Sequence, residues 1–177
     1  MRNSHLAIRE ATPDDQALIY VLVDKLKEHY FEDYQLQHGF TPEDLSDWII
    51  DGNLSLITLN CLDIELVIGV VLIDEIHPEK LHGTLHLLID PEYWRSAVKH
   101  HPCAVMLDYV FDKYEIKKLK AFPMKPQRSA MNLLKKHFFY FGTSWPNEAK
   151  FKGKLVPVTP CYLNRTYWNK KRADIYG

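Results

Sequence analysis

The order of the apolar runs in the middle of the chain constrains its fold more than any other feature. Three extended runs follow one another at Leu54–Cys61, Glu65–Ile76 and Gly83–Asp90, separated only by short links. Links of this length do not hold the crossover that two parallel neighbours need, so each strand is expected to be antiparallel to the next. The sequence therefore predicts an antiparallel meander at the centre of a sheet.

The segment before the meander carries start signals for one strand and two helices. We predict a strand at Leu6–Arg9, followed by a helix that runs to about Tyr30. Thr12-Pro13-Asp14-Asp15 supplies the N-cap, the first-turn proline and two carboxylates at the positive end of that helix. Thr41-Pro42-Glu43-Asp44 repeats the signal for a second helix, which Gly52 is expected to end.

A helix, a strand and another helix are predicted after the meander, followed by two terminal strands. Because the strand is entered from a helix, we expect it to lie parallel to the third meander strand. The predicted elements are a helix at Pro102–Tyr114, a strand at Lys118–Met124, a helix at Gln127–Phe138, and strands near Phe139–Trp145 and Leu155–Leu163.

The complete element order, β-α-α-β-β-β-α-β-α-β-β, suits one layered domain. A mixed sheet with helices on both faces buries the apolar side of every element. The chain has 177 residues, of which 46% are hydrophobic, and this is enough for one sizeable core. We therefore predict a single domain over residues 1–177, of α/β (α+β) class, with a mixed central sheet of about seven strands.

The net charge of −1 conceals a division between the two halves of the chain. Residues 1–94 contain 5 Lys and Arg against 18 Asp and Glu, whereas residues 95–177 contain 17 against 5. Such asymmetry indicates an acidic partner for the second half and a basic partner for the first. The alternative is that the halves interleave in one fold, so that the charges mix on its surface.

The composition predicts a soluble, cytoplasmic protein. The N-terminus lacks the basic-then-apolar pattern of a signal peptide, and no apolar run approaches the length of a membrane span. The three cysteines (Cys61, Cys103 and Cys161) are an odd number without a CxxC pair, which favours reduced core thiols. We expect neither a metal site, since no ligand spacing indicates one, nor a membrane partner.

The stretch from Asp90 to Gly142 carries the motifs of a known family. It contains Asp90-Pro91-Glu92-Tyr93-Trp94, then a helix with Tyr109-Val110-Phe111, a basic strand, Ser129, Lys135 and Phe138. This order resembles the Rim-type branch of the GNAT superfamily of acyl-CoA N-acyltransferases. The order of predicted elements extends the resemblance over essentially the whole chain.

The resemblance implies an N-acetyltransferase that moves an acyl group from acetyl-CoA to an amine, on a small molecule or a protein N-terminus. It implies that the backbone of Leu88 and Ile89 holds the pantetheine and polarises the thioester. Ser129 would protonate the leaving thiolate, and Gln127 stands beside the place of a family asparagine. The loop after the third meander strand would hold the phosphates through Trp94, Arg95, Ser96, Ala97, Val98 and Lys99.

His86 is the titratable residue best placed to accept a proton from the amine. Its position near the end of the third meander strand and the ordinary pKa of histidine suit a general base. Strand alternation puts it on one sheet face with Thr84 and Leu88. A packing histidine is the alternative, and Tyr140 and Glu148 are weaker candidates for the base.

The phosphate loop departs from the family pattern. Backbone N–H groups bind pyrophosphate at a glycine-rich helix start, but Arg95 and Ala97 stand at the two glycine places. Pro102 suits the first position of a helix, so we expect that helix to begin about a turn late. Arg95, Lys99, His100 and His101 would then bind the phosphates through their side chains. The alternative is a loop that binds no cofactor.

These departures support a second function class, a GNAT-fold binding or assembly module without catalysis. Phage proteins are one setting in which such degenerate folds occur. The oppositely charged halves would dock head to tail in a homo-oligomer. A nucleic-acid partner is less favoured, because aromatic residues are sparse in the basic block Lys117–Lys136.

Overall fold

The structure, a computed structural model, describes residues 4–30, 42–61, 64–77, 79, 81–93 and 102–176. This part of the chain contains nine strands and five α-helices. The strands are β1 (Ser4–Glu10), β2 (Leu54–Cys61), β3 (Ile64–His77), β4 (His82–Ile89), β5 (Lys118–Ala121), β6 (Tyr140–Phe141), β7 (Trp145–Phe151), β8 (Lys154–Val158) and β9 (Cys161–Asn164). The helices are α1 (Gln16–Tyr30), α2 (Pro42–Ile50), α3 (Pro102–Lys113), α4 (Arg128–Lys136) and α5 (Arg165–Tyr176).

Seven of these strands form one mixed sheet in the order β1-β2-β3-β4-β5-β9-β6. β2, β3 and β4 form the predicted antiparallel meander, and β1 adds an antiparallel edge. β5 lies parallel to β4, as predicted, and β9 lies antiparallel between β5 and β6. β7 and β8 form a separate two-stranded sheet. The predicted α/β fold with a mixed sheet of about seven strands is therefore confirmed.

Each face of the large sheet has its own apolar core. The core of one face, named the α1 face, joins α1 and α2 to the sheet and includes Ile19, Leu45, Leu56, Val70 and Leu88. The core of the opposite face, named the α3 face, joins α3, α4 and α5 to the sheet and includes Ile73, Ile89, Phe111, Leu134 and Trp168. Because successive side chains alternate along a strand, neighbouring residues of β4 belong to opposite cores.

A buried carboxylate fixes the start of the first helical segment. Asp15 accepts hydrogen bonds from the backbone N–H of Thr12 at 2.8 Å and from its hydroxyl at 2.9 Å. The Arg9 guanidinium donates to both carboxylate oxygens at 2.7 and 2.8 Å. These bonds from Arg9 hold the pKa of Asp15 well below its usual range. The start signal predicted at Thr12 is confirmed, with a short 3-10 turn at Pro13–Asp15 before α1.

Replacing Asp15 with asparagine is expected to lower the free energy of unfolding by about 2 kcal/mol at pH 7, because the charge-assisted bonds from Arg9 are lost. The native pKa of Asp15 is below its unfolded value, so the stabilisation is fully present only above about pH 4. It is lost as the pH falls through the native pKa. Urea unfolding between about pH 3 and pH 7 measures the difference in unfolding free energy between the parent and Asp15→Asn, which shrinks as the pH falls. The exposed Asp14→Asn is the control. Equal losses for both variants would contradict the assignment.

The C-terminal part of the chain differs from the sequence prediction in two ways. Four strands replace the two predicted strands, and Pro160, which has no backbone N–H, separates β8 from β9. Helix α5 is absent from the sequence prediction. Trp168 is fully buried, and its indole N–H donates to the Asp108 carboxylate of α3 at 2.8 Å. One tryptophan therefore anchors an otherwise polar helix, which has no apolar periodicity to reveal it.

The two cysteines whose side chains the structure describes, Cys103 and Cys161, are free thiols in the core of the α3 face. Burial raises the pKa of Cys161 to about 12 and also raises the pKa of Cys103. Both thiols are protonated at neutral pH, and neither is a nucleophile. The prediction of reduced core thiols is confirmed for these two residues.

Candidate functional site

β4 and β5 run side by side only along the first part of β4. Their parallel register ends at Thr84, which lies opposite Lys120. β4 continues to Ile89, whereas β5 ends at Ala121 and the chain then turns to pair with β8. Within the described residues, the edge of β4 from Leu85 onward therefore faces no strand on its β5 side. A ligand could therefore approach the β4 edge at this opening in the way that an added strand approaches a sheet.

Alternate residues of β4 direct their backbone groups into this opening. Asp90 donates its N–H to β3 at 2.9 Å, and a Cβ on Gly69 of β3 would lie 2.6 Å from the Leu88 carbonyl oxygen. Backbone groups of an extended strand point to its two edges in turn, so those of Leu87 and Ile89 face the opening. The role of Ile89 in holding the pantetheine stays a prediction, and the orientation of its backbone is compatible with it. The backbone of Leu88 is turned away, toward β3, and Leu87 takes its place.

Solved structures share this fold, although no protein-family model and no curated protein matches the sequence. The spermidine N-acetyltransferase of Vibrio cholerae in complex with CoA and spermine aligns with a TM-score of 0.75 at 17% identity, covering 93% of this chain and 98% of that chain. A chimera of spermidine N-acetyltransferase SpeG from Vibrio cholerae and hSSAT gives a TM-score of 0.75 at 18% identity, with the same coverage. The chain has the GNAT fold.

The identities are too low for these similarities to establish more than the fold. Leu88 and Ile89, which the resemblance predicts to hold the pantetheine, lie on β4 along the opening between β4 and β5. The side chains around this opening therefore decide what chemistry the chain can perform.

His86 lies just beyond the last β4–β5 pair, on the α1 face. Its side chain is 35% exposed, and its Nε2 atom lies 4.0 Å from the Asp74 carboxylate. Burial lowers the pKa of His86 below its ordinary value, while the charges of Asp74 and Glu75 oppose the shift. The imidazole is therefore neutral at pH 7, which is the form that a general base requires.

A bulge in β3 places two carboxylates beside His86. The register with β4 shifts between Asp74 and His77, and Glu75 adopts a φ of +50°. Glu75 accepts a hydrogen bond from the buried Thr84 hydroxyl at 2.9 Å, and Asp74 accepts one from the Glu75 backbone N–H at 2.6 Å. Bulges and left-handed backbone of this kind cluster at functional sites. The two carboxylates make this side of the opening attractive to an ammonium group.

The start of the predicted phosphate loop is tied to α1. Asp90 is buried and accepts hydrogen bonds from the Lys25 ammonium at 2.6 Å and from the Glu92 backbone N–H at 3.1 Å. Helix α3 begins at Pro102, as predicted. The predicted phosphate-binding residues between these points lie outside the described residues: Trp94, Arg95, Ser96, Ala97, Val98 and Lys99.

Gln127 and Ser129 lie at the start of α4, which follows the C-terminal end of β5. The side-chain carbonyl of Gln127 accepts the Met124 backbone N–H at 3.0 Å and closes the turn between β5 and α4. Ser129 is exposed in the first turn of α4. In the part of the chain that the structure describes, no hydrogen bond joins Ser129 to His86. The predicted roles of Gln127 and Ser129 stay predictions.

Two exposed aromatic residues beside the opening are absent from the sequence prediction. Phe122 follows β5 and Trp145 begins β7, and their rings stack with centroids 5.8 Å apart. They are 37% and 43% exposed. Each precedes a proline, Pro123 or Pro146, which interrupts regular strand pairing. An aromatic residue before a proline at a predicted strand end is the signal that points to them.

The described residues support neither a metal site nor a membrane-spanning helix. No group of three or more His, Cys, Asp and Glu side chains is placed there to hold a metal ion. None of the described helices combines the length and apolar content that crossing a bilayer requires.

Proposed function

We propose that this protein is a cytoplasmic N-acetyltransferase that transfers an acetyl group from acetyl-CoA to an amine. The opening between β4 and β5 carries the proposal, because its β4 edge faces no described strand from Leu85 onward and a neutral imidazole lies at its side. A solved structure with this fold is a spermidine N-acetyltransferase in complex with CoA and spermine. That similarity supports an acyl-CoA and an amine as the two ligands.

The chain offers acetyl-CoA the backbone edge of β4. Leu87 and Ile89 would bind the amide groups of the pantetheine arm in the way a sheet edge binds an added strand. A backbone N–H directed at the acetyl carbonyl would polarise it. Acetyl-CoA, when bound, supplies an acetyl group activated as a thioester. The loop Trp94–Lys99 would hold the phosphates, with Gln127 close to the pantetheine.

The side chains beside the opening would handle the protons. An ammonium group has no lone pair, so His86 accepts a proton before the amine nitrogen bonds to the acetyl carbon. Asp74 and Glu75 attract the cationic amine, which favours a polyamine or another small cation as acceptor. As the carbon–sulfur bond breaks, the Ser129 hydroxyl would donate a proton to the thiolate and regain one as the acetylated nitrogen loses its second proton, a role supported by the resemblance.

Titration of the full chain with acetyl-CoA by calorimetry tests this proposal. We expect saturable binding and a matching rise in thermal stability, worth about 2.7 kcal/mol when acetyl-CoA is present at about 100 times its dissociation constant. Release of free thiol in the presence of spermidine then reports acetyl transfer. No binding and no thermal shift at millimolar acetyl-CoA would overturn the proposal.

Charge-reversal variants test whether the loop Trp94–Lys99 binds the phosphates of acetyl-CoA. Arg95→Glu and Lys99→Glu are expected to weaken acetyl-CoA binding about tenfold or more, since each puts a negative charge beside the phosphates. Lys154→Glu makes the same charge change on an exposed strand of the β7–β8 hairpin and is the matched control. Equal weakening in all three variants would indicate a general charge effect and contradict the loop assignment.

A binding or assembly module without catalysis is the second candidate. The observation that favours it is the pair Arg95 and Ala97 at the glycine places, together with the start of α3 at Pro102. This candidate predicts no acetyl-CoA binding and a homo-oligomer that high salt disperses. Light scattering at low and high salt, together with the calorimetry above, separates the two functions.

A further inference from the structure

Among the described residues, no helix packs on the α1 face of the sheet beyond β4. The apolar core beneath α1 and α2 takes residues from β2, β3 and β4, and its last β4 member is Leu88. On β5 and β9, Leu119 and Leu163 point into the α3-face core. Strand alternation therefore turns Lys118, Lys120 and Tyr162 to the α1 face, and the register places Tyr140 of β6 beside Tyr162.

These four residues, Lys118, Lys120, Tyr140 and Tyr162, form what we name the lysine–tyrosine face. The rings of Tyr140 and Tyr162 stack with centroids 5.3 Å apart and an interplanar angle of 29°. The Lys118 ammonium lies 4.5 Å above the Tyr162 ring. Tyr140 is 46% exposed. Because β5 and β6 flank β9 on opposite sides, Lys118 and Tyr140 cover opposite sides of the Tyr162 ring, and Tyr140 is the open ring of this cluster.

Lysines make the β5 side of this face positive, whereas Asp74 and Glu75 lie across β4, on the far side of Thr84. Lys118 also lines an open groove of about 570 Å³ with Lys117, Asn164, Thr166, Tyr167 and Lys170. Within the described part of the chain, no carboxylate forms an ion pair with any of these lysines or with Lys120, whose ammonium contacts His82 at 3.0 Å. A groove of this volume has room for a nucleotide-sized group.

We infer that this surface binds single-stranded nucleic acid. Proteins that bind single strands combine exposed aromatic rings, on which bases stack, with lysines that follow the phosphate backbone. The lysine–tyrosine face supplies both on one flat sheet surface, and its aromatic residues come from two strands. The lysines alone would also attract an acidic protein. An exposed aromatic ring favours nucleic acid instead, because bases stack on it and carboxylates do not. Its four residues adjoin the first part of β4, through Lys120 opposite Thr84, and lie outside the edge from Leu85 onward that is proposed for acetyl-CoA.

Fluorescence anisotropy with labelled single-stranded dT12 and rU12 tests the inference on the full chain. We expect binding that weakens with salt. Tyr140→Ala is expected to weaken it roughly 5- to 150-fold, because base stacking on that ring is lost. Tyr162→Ala is expected to weaken it too, because the Tyr140 ring loses the side chain that it packs against. Lys118→Glu is expected to weaken it and to reduce the slope of log affinity against log salt by about 0.7, the value for one phosphate contact on a single strand.

Matched controls separate recognition from general charge and from misfolding. Tyr20→Ala removes a ring that is 50% exposed on α1, and Lys154→Glu reverses a charge on the β7–β8 hairpin. Both controls should keep the affinity of the parent, and every variant should keep its thermal midpoint. Saturating CoA should leave the oligonucleotide affinity unchanged, because the two surfaces are distinct.

Three results would overturn the inference. One is no oligonucleotide binding at about 50 mM salt. Another is equal binding of heparin with no loss in Tyr140→Ala and Tyr162→Ala, which would mean attraction of any polyanion. The third is a dimer in light scattering that Tyr162→Ala dissociates, which would make the face a contact between copies of this chain.

Discussion

The Trp168→Ala variant is expected to lose about 3–5 kcal/mol of unfolding free energy, the cost typical of removing a buried tryptophan. The Trp168 side chain is fully buried within the core of the α3 face. Its indole N–H donates to Asp108 at 2.8 Å, and the same Asp108 oxygen accepts the Arg172 guanidinium at 3.0 Å. The substitution therefore leaves a cavity and removes the link between α5 and α3. A loss of this size is a large part of the stability of a typical domain.

Urea unfolding, followed by far-ultraviolet circular dichroism, measures this loss. Tyr167→Ala is the matched control, because Tyr167 is the preceding aromatic residue of the same helix and is 45% exposed. We expect that control to lose less than about 1 kcal/mol. A loss below about 1 kcal/mol in Trp168→Ala would mean that α5 contributes little to the core.

The central part of the fold could be predicted because local signals and tertiary pairing agree there. The links on either side of β3 are too short for a crossover, so the antiparallel order follows from chain geometry alone. The parallel pairing of β5 follows in the same way from the helix that precedes it. Thr12 and Pro102 fix helix starts through backbone rules that hold in any fold.

The C-terminal part could not be predicted, because its elements depend on contacts distant in sequence. Helix α5 is held by Trp168 against Asp108, a residue of α3. The β7–β8 hairpin has a small core of its own, in which Met124 from the β5–α4 connection packs with Ala149 and Val158. The spacing of apolar residues within either segment gives no sign of these distant contacts.

The β4 edge and the lysine–tyrosine face could also be predicted only in part from the sequence. The alternation of β4 predicts the face on which His86 lies, but not which backbone groups face the opening. That depends on the hydrogen-bonding phase of β4 against β3, which turns Leu88 away. The sparse aromatic residues of Lys117–Lys136 make nucleic acid a weak prediction from sequence, yet Tyr140 and Tyr162 reach the same surface from β6 and β9.

The His86→Gln variant is expected to lower kcat/KM for acetyl transfer by about 10²- to 10⁴-fold, the range for loss of a general base. This prediction rests on the proposed function. In the parent protein, burial keeps the pKa of His86 below its ordinary value, so activity should fall only when the pH drops through that lowered pKa. Below it the imidazole is protonated and accepts no further proton. The variant should lack this fall in activity at low pH, which is the acidic limb of the pH profile.

The pH profile distinguishes a base from a packing histidine, because loss of packing alone would lower activity without removing the limb. Asp74 raises the pKa of His86 by its charge, so Asp74→Asn should move the limb to lower pH and leave acetyl-CoA affinity unchanged. His77→Gln is the matched control, since His77 is an exposed histidine at the far end of β3. An intact acidic limb in His86→Gln would exclude His86 as the base.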